Sequence, residues 1–191
     1  TGTAATKFGV PWDETLDLYA WAGDRPHLVP LGIDVHIGSQ ILDPDPYARA
    51  LDRVLELVAA VKSLGVSLEY LDIGGGYGIP YKDEDPILNI DYVFENIAKE
   101  FYSVYTKQEC PVFCIEPGKY LVGDAGILLA RVTGVKESYK SFIGLDAGME
   151  TLMRPVLYGA YHRIYKVGEP EATPDMTADI TGRICENTDR L

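Results

Sequence analysis

Apolar and polar positions follow two different rhythms along this chain. Residues 11–22 carry apolar positions at loose helical spacing behind Pro11, which predicts a weak helix. The run LVPLGIDVHIGS, residues 28–39, predicts a buried strand opening into a loop. The next segment, DPDPYARALDRVLELVAAVKSLG, reads as a strong amphipathic helix. Its Leu51, Val54, Leu55, Val58 and Val61 fall on one face at a spacing near 3.6. Asp45 is placed to cap this helix, Pro46 suits its first turn and Gly65 its end. A second strand is predicted over 68–73, followed by a polar loop at 83–91. A second amphipathic helix runs from Asp91 to about Tyr105, with Val93, Phe94, Ile97, Phe101 and Val104 inward. PVFCIEPG supplies a third strand at 112–116. Strand, helix, strand, helix, strand is the pattern of a parallel sheet with helical crossovers.

After Gly118 the rhythm changes. Residues 127–136, 141–145 and 178–184 read as strands, with a short polar connection at 137–140. The intervening METLMRPVLYGAYH shows no strong helix. A β-rich unit is therefore expected from near Leu121, giving an α/β domain over 1–120 and a β domain over 121–191. No internal repeat and no low-complexity segment interrupts the chain.

Bulk properties narrow the function. A length of 191 residues suits one domain or one and a half. A formal net charge of -12 and a pI of about 4.6 count against nucleic acid and anionic membrane surfaces, which attract basic faces. No apolar run approaches the roughly 20 residues of a spanning helix, and TGTAATKFGV lacks the charged-then-apolar pattern of a signal peptide. Cys110, Cys114 and Cys185 make no disulfide framework, and with three scattered histidines they make no closed zinc site. A reducing, cytoplasmic setting is expected. Neither TGTAATKFG nor CENTDRL reads like a natural terminus, so the chain is expected to be an excerpt of a longer protein.

The candidate chemistry sits at three predicted strand ends. YLDIGGGYGIPY places Gly74, Gly75 and Gly76 directly after an apolar run. Consecutive glycines are costly to order and need a local reason. Ile79 breaks the dinucleotide-binding spacing, and no glycine-lysine-serine/threonine ending marks a nucleotide P-loop. A tight turn and a backbone loop that holds phosphate both fit this stretch. HIGSQ ends the preceding strand and offers His36 and Ser39; IEPGK ends the following one and offers Glu116 and Gly118. Taken alone, His36 suits a satisfied structural histidine. Three consecutive strand ends presenting an aromatic base, a glycine loop and a carboxylate raise the functional reading.

These residues resemble the fold-type III pyridoxal-phosphate decarboxylases, most closely the diaminopimelate decarboxylase branch. TGTAATKFG, HIGSQ, LDIGGGYGI, EPGK, DAGMETLMRPVLYGAYH and GRICENTD occur in the family's order along nearly the whole chain. The resemblance implies an alanine-racemase-like (β/α)8 barrel, its second half present here, followed by the start of a β-sandwich or barrel domain. It implies pyridoxal 5'-phosphate as cofactor and decarboxylation of meso-2,6-diaminopimelate to L-lysine, by a homodimer with a shared active site. His36 would stack on the cofactor ring. Ser39, Gly118 and the backbone of Gly74, Gly75 and Gly76 would bind its phosphate. Glu116 would hydrogen-bond the pyridine nitrogen and keep it protonated, since a carboxylate close by stabilises the charged form. Lys119, Arg154 and Tyr158 match positions that bind substrate carboxylates or the phosphate region. Cys185 and Glu186 match a cysteine-glutamate pair that the partner subunit contributes: the cysteine as acid, the glutamate reading the substrate's distal amine. Outside this context Arg154 suits a surface ion pair, and a free cysteine a small buried hydrophobe.

Two departures stand at the substrate end. Lys119 replaces an arginine usual in the family and loses its two-pronged geometry. Asn187 and Thr188 replace a serine followed by glycine or alanine. D-ornithine or D-lysine is therefore an alternative substrate, and a non-catalytic relative a further alternative. The lysine that bonds the cofactor in the family lies on an early barrel strand, expected upstream of Thr1; Lys7 matches the KFG segment instead. A tyrosine of the C-terminal domain is expected beyond Leu191. A whole barrel of this kind takes about 250 residues.

Overall fold

A computed structural model describes residues 6–106, 108–170 and 172–191. They form two compact units. One holds the described residues up to Pro80 together with Pro86–Ala125; the other holds Tyr81–Asp85 and Gly126–Leu191. Among the described residues no helix is long and apolar enough to cross a membrane.

The first unit is a parallel α/β arrangement. Helix α1 spans Trp12–Gly23 and has no buried residue, as its weak pattern predicts. Strand β1 (Gly32–Asp34) is followed by α2 (Asp45–Ser63), β2 (Tyr70–Asp72), α3 (Ile90–Val104), β3 (Val112–Cys114) and a short α4 (Gly118–Val122). The strands pair in the order β1-β2-β3, all parallel, with Gly32, Tyr70 and Val112 in one row and Ile33, Leu71 and Phe113 in the next. Each strand is shorter than its apolar run. The residues beyond each strand turn into loops at the C-terminal edge of the sheet, and these loops carry the candidate chemistry.

Two apolar clusters sit on this sheet. Leu51, Val54, Val58 and Val61 of α2 are buried with Tyr47 and Leu57, while Leu55 is only half-buried. On α3, Val93, Ile97 and Phe101 are buried and Phe94 packs partly; Val104 is half exposed, a correction to the inward face expected. Fully burying one such side chain contributes about 1.5–3 kcal/mol. The start of α2 differs from expectation too. Asp45 is its first helical residue, not its cap, and the Asp43 carboxylate accepts the Asp45 N–H at 3.0 Å. Pro46 does occupy the first turn, and Gly65 follows the end with φ 79°. The Asn89 side chain caps α3 by accepting the Tyr92 N–H at 3.0 Å.

The second unit is a three-stranded sheet of order β4-β5-β6: β4 (Val132–Glu137), β5 (Ser141–Leu145) and β6 (Ala178–Thr181). β4 pairs antiparallel to β5, with a register irregularity between Val132 and Gly134, and β6 pairs parallel to β5. A short helix, α5 (Arg154–Tyr158), lies in the connection that the sequence leaves without one. It ends at Gly159 in the left-handed conformation. Among the described residues of this unit only Ala147, Gly148 and Asp189 are buried. Strand pairing and side-chain hydrogen bonds hold it more than an apolar core does.

Candidate active site

Three loops leave the C-terminal edge of the parallel sheet and interlock through their backbones. The Gly74 N–H donates to the Asp72 carboxylate at 2.8 Å, which turns the chain sharply as β2 ends. The Glu116 N–H donates to the Gly74 carbonyl at 2.9 Å, and the Ile41 N–H to the Gly76 carbonyl at 2.9 Å. The Gly78 N–H donates back to the Ile41 carbonyl at 3.0 Å. The glycine loop is thus bonded on one side to HIGSQI and on the other to IEPGK.

Glycine is required there for space as well as for backbone freedom. A Cβ at Gly74 would overlap the Val35 carbonyl oxygen and lie 3.2 Å from His36 Cα. One at Gly75 would overlap the Glu116 carbonyl oxygen, and one at Gly76 the Gly38 carbonyl oxygen. Gly74 and Gly76 also have φ of 72° and 89°, a region side chains rarely adopt. The tight-turn reading holds: the turn is tight because two neighbouring backbones press against it. It brings His36, Gly38 and Glu116 to one place. Pyridoxal phosphate fits this cradle, since glycines admit close backbone approach to a phosphate group. His36, Ser39, Glu116 and Gly118 are exposed around it, so they are open to a ligand. Asp34 and Asp72 stand in register on β1 and β2, behind the cradle. Burial raises the Asp34 carboxyl, the Asp72 carboxylate raises it further, and His36 opposes the rise.

Under the cradle, the Tyr77 ring stacks on Tyr47 of α2, with centroids 4.7 Å apart and planes 1° from parallel. Burial pushes the Tyr47 phenol up to about 12 and Tyr77 higher still. Neither hydroxyl has a hydrogen-bond partner among the described residues. Lys119, in α4, donates from Nζ to the Gln40 side-chain oxygen at 3.1 Å.

The second unit carries the remaining candidates. Arg154, half-buried, donates to the Tyr81 hydroxyl at 3.1 Å, and its other terminal nitrogen stands 3.4 Å from His162 Nε2. Burial and the Arg154 charge hold the His162 imidazole below its usual range. Tyr158, Cys185 and Glu186 are exposed. The loop holding the last two is folded around Asp189. That buried carboxylate accepts the Met149 N–H at 2.7 Å with one oxygen and the Ile184 N–H at 2.7 Å with the other. Cβ atoms at Gly148 or Gly182 would press on the same carboxylate. A depression of about 770 Å³ in this unit is lined in part by Tyr161, His162, Asn187 and Thr188. Asn187 and Thr188, the departures at the substrate end, thus share a surface with His162.

Sequence reasoning singled out neither Gln40, Asp72, Tyr81, His162 nor Asp189, although all five lie inside the motifs it quoted or the glycine stretch. Their signal was position within a motif; Gln40, Tyr81 and Asp189 each have a partner far along the chain, in Lys119, Arg154 and Met149, while Asp72 meets nearby Gly74 and His162 nearby Arg154. Residues 1–5 of the opening TG…KFG segment lie outside the described residues.

Comparison with known proteins agrees with this geometry. The profile of the family described as "Pyridoxal-dependent decarboxylase, pyridoxal binding domain" matches residues 1–123. The diaminopimelate decarboxylase of Methanothermobacter thermautotrophicus is 42% identical, over 99% of this chain and 45% of that protein. That of Neisseria meningitidis serogroup A is 44% identical, over 100% of this chain and 46% of that protein. The crystal structure of Helicobacter pylori diaminopimelate decarboxylase complexed with L-lysine superposes with a TM-score of 0.83 at 34% identity, covering 100% of this chain and 46% of that one. The fold is thus that of the alanine-racemase-like barrel enzymes. The chain spans about half the length of the curated relatives it matches. With the glycine cradle between two strand-end loops and the match over residues 1–123, the chain belongs to the pyridoxal-dependent decarboxylase family.

Proposed function

We propose that the protein to which this chain belongs is a carboxy-lyase that removes carbon dioxide from meso-2,6-diaminopimelate and yields L-lysine. The observation that carries this reading is the cradle: three strand-end loops interlocked so tightly that no side chain fits at Gly74, Gly75 or Gly76. The cofactor supplies an electron sink for the carbanion left when carbon dioxide departs. The Gly74, Gly75, Gly76 and Gly118 backbone and Ser39 hold the phosphate, and His36 lies against the ring. Glu116 pairs with the ring nitrogen and holds a proton there, because a carboxylate favours the charged form of its neighbour. Arg154 meets a carboxylate with its planar fork, Tyr158 and Lys119 are assigned to the substrate carboxylates or the phosphate region, and Glu186 pairs with the distal amine. Cys185 returns a proton to the carbon.

Residues 1–120 are assigned to the barrel domain and 121–191 to a β domain that contributes substrate contacts. A homodimer in which Cys185 and Glu186 serve the partner's site, acting in the cytoplasm, completes the proposal. The diaminopimelate decarboxylases at 38–44% identity support the substrate. The test is carbon dioxide release by the full-length protein supplied with pyridoxal 5'-phosphate. Release from meso-2,6-diaminopimelate is expected. Turnover of D-lysine or D-ornithine in its place would transfer the assignment to those substrates, the alternative that the departures at Lys119, Asn187 and Thr188 leave open. Cofactor binding without release from any of them would leave a non-catalytic relative.

A further inference from the structure

We propose that Gln40 is a positioning residue: it holds the Lys119 ammonium at a set place beside the cradle, and so governs how tightly the site grips an anionic group. The inference rests on the functional reading above, in which Lys119 meets a substrate carboxylate or the cofactor phosphate.

Gln40 is the one non-glycine among the described residues with a positive φ, at 59°. A residue with a Cβ is disfavoured there and stays only where its surroundings over-determine it. The surroundings here are its own side-chain amide. Nε2 donates to the Ile79 carbonyl, and Oε1 accepts from Lys119 Nζ at 3.1 Å. The chemistry forces that orientation, because a carbonyl only accepts and an ammonium only donates. Ile79 follows the glycine loop and Lys119 follows IEPG, so one half-buried side chain ties all three strand-end loops together. A lysine ammonium is a point charge on a stem with four rotatable bonds, with no fork to orient itself. Its position must be set from outside, and Gln40 is placed to set it. Where arginine stands in related sequences, the guanidinium carries its own geometry. Here the pair of Gln40 and Lys119 takes that role.

The test uses the full-length protein with Gln40→Gly, Lys119→Ala and the double variant. Gln40→Gly relieves the backbone and removes the tether together. Either single change is expected to raise substrate KM, or the half-saturating concentration of pyridoxal 5'-phosphate, about tenfold, the scale of one hydrogen bond to a charged group. The parameter that moves identifies the anion as substrate carboxylate or cofactor phosphate; in Gln40→Gly, kcat should change less than that parameter. The double variant should be no worse than Lys119→Ala, because both changes remove one interaction. Losses that multiply, or a Gln40→Gly protein with both parameters unmoved, would overturn the proposal. Acetylation of Lys119 by a small acylating reagent, followed by peptide mass spectrometry, reads the tether without activity. It should run faster in Gln40→Gly, and an unchanged rate overturns the tether even if the protein decarboxylates nothing. Should Gln40→Gly fold poorly, Gln40→Glu replaces it. A carboxylate there pairs with Lys119, so KM should rise while acetylation slows; an unchanged KM and rate would again count against the tether.

Discussion

Gly75→Ala isolates the packing of the cradle from its backbone conformation. Gly75 is buried and its φ lies outside the left-handed region, so alanine can adopt its conformation. Only space excludes the methyl group. The new Cβ would overlap the Glu116 carbonyl oxygen and lie 3.3 Å from the Glu116 carbonyl carbon and 3.5 Å from its Cβ. The obstacle is backbone, which cannot swing aside as a side chain can. The glycine loop and the IEPG loop must separate, straining the Glu116 N–H bond to Gly74 at 2.9 Å and the Ile73 N–H bond to Cys114 at 3.2 Å. Overpacking of this kind costs about 1–3 kcal/mol. In the full-length protein the melting temperature should fall by a few degrees, less per kcal/mol than the roughly 2–4 °C of a 150–250-residue protein. Moving Glu116 also moves the group assigned to the cofactor nitrogen. A displacement near 1 Å can cost up to about a hundredfold in function, so half-saturation with pyridoxal 5'-phosphate should rise at least tenfold. The matched control is Gly23→Ala, where a Cβ meets nothing within 4 Å and the residue lies at the end of α1. It should be neutral, or stabilising by about 0.5–1 kcal/mol as alanine replaces glycine in a helix. Thermal unfolding and cofactor titration of both variants in the full-length protein decide the matter. A Gly75→Ala protein that melts and titrates like wild type would refute the cradle.

Three further outcomes follow from the geometry. Tyr77→Phe removes a buried hydroxyl that has no partner among the described residues. Thermal unfolding should therefore show no loss, and a gain of about 1 kcal/mol is within the cost of an unmet polar group. Asp189→Ala leaves the Met149 and Ile184 N–H groups without their acceptor, a carboxylate that is itself buried. It should destabilise by about 2–4 kcal/mol and, by loosening the loop that carries the already exposed Cys185, speed that thiol's modification by a thiol reagent. His162 has a folded-state pKa below 6.5, from burial first and the Arg154 charge second. The unfolded chain thus takes up the proton first as pH falls. Stability from this group is complete above about pH 6.5 and declines as pH drops through and below that value. Denaturant unfolding across pH 5–8 should show this slope, and His162→Gln should abolish it.

The helices were the most legible part of the fold. The α2 stripe of Leu51, Val54, Val58 and Val61 is written at helical spacing, and burial follows it residue by residue. The strands were harder to bound. Each apolar run predicts five or more strand residues, whereas only three pair, because the chain beyond them turns to build the loops of the cradle. In the second unit, α5 was missed because five residues around Pro155 carry too few turns to show a period. The motif residues could be picked out as a set, because each motif is contiguous in the chain. What each one touches could not be read from spacing, because the contacts join positions far apart: Gln40 to Lys119, Asp189 to Met149, Tyr47 to Tyr77.

The sequence by itself determined the alternation of strand and helix, the family, and which residue types stand at the strand ends. Those follow from local periodicity and from motifs contiguous in the chain. Tertiary structure alone decided why the three glycines cannot be replaced and what Gln40 does. Whether a Cβ fits depends on atoms about forty residues away, and a left-handed glutamine is stable only where two distant loops meet its side chain.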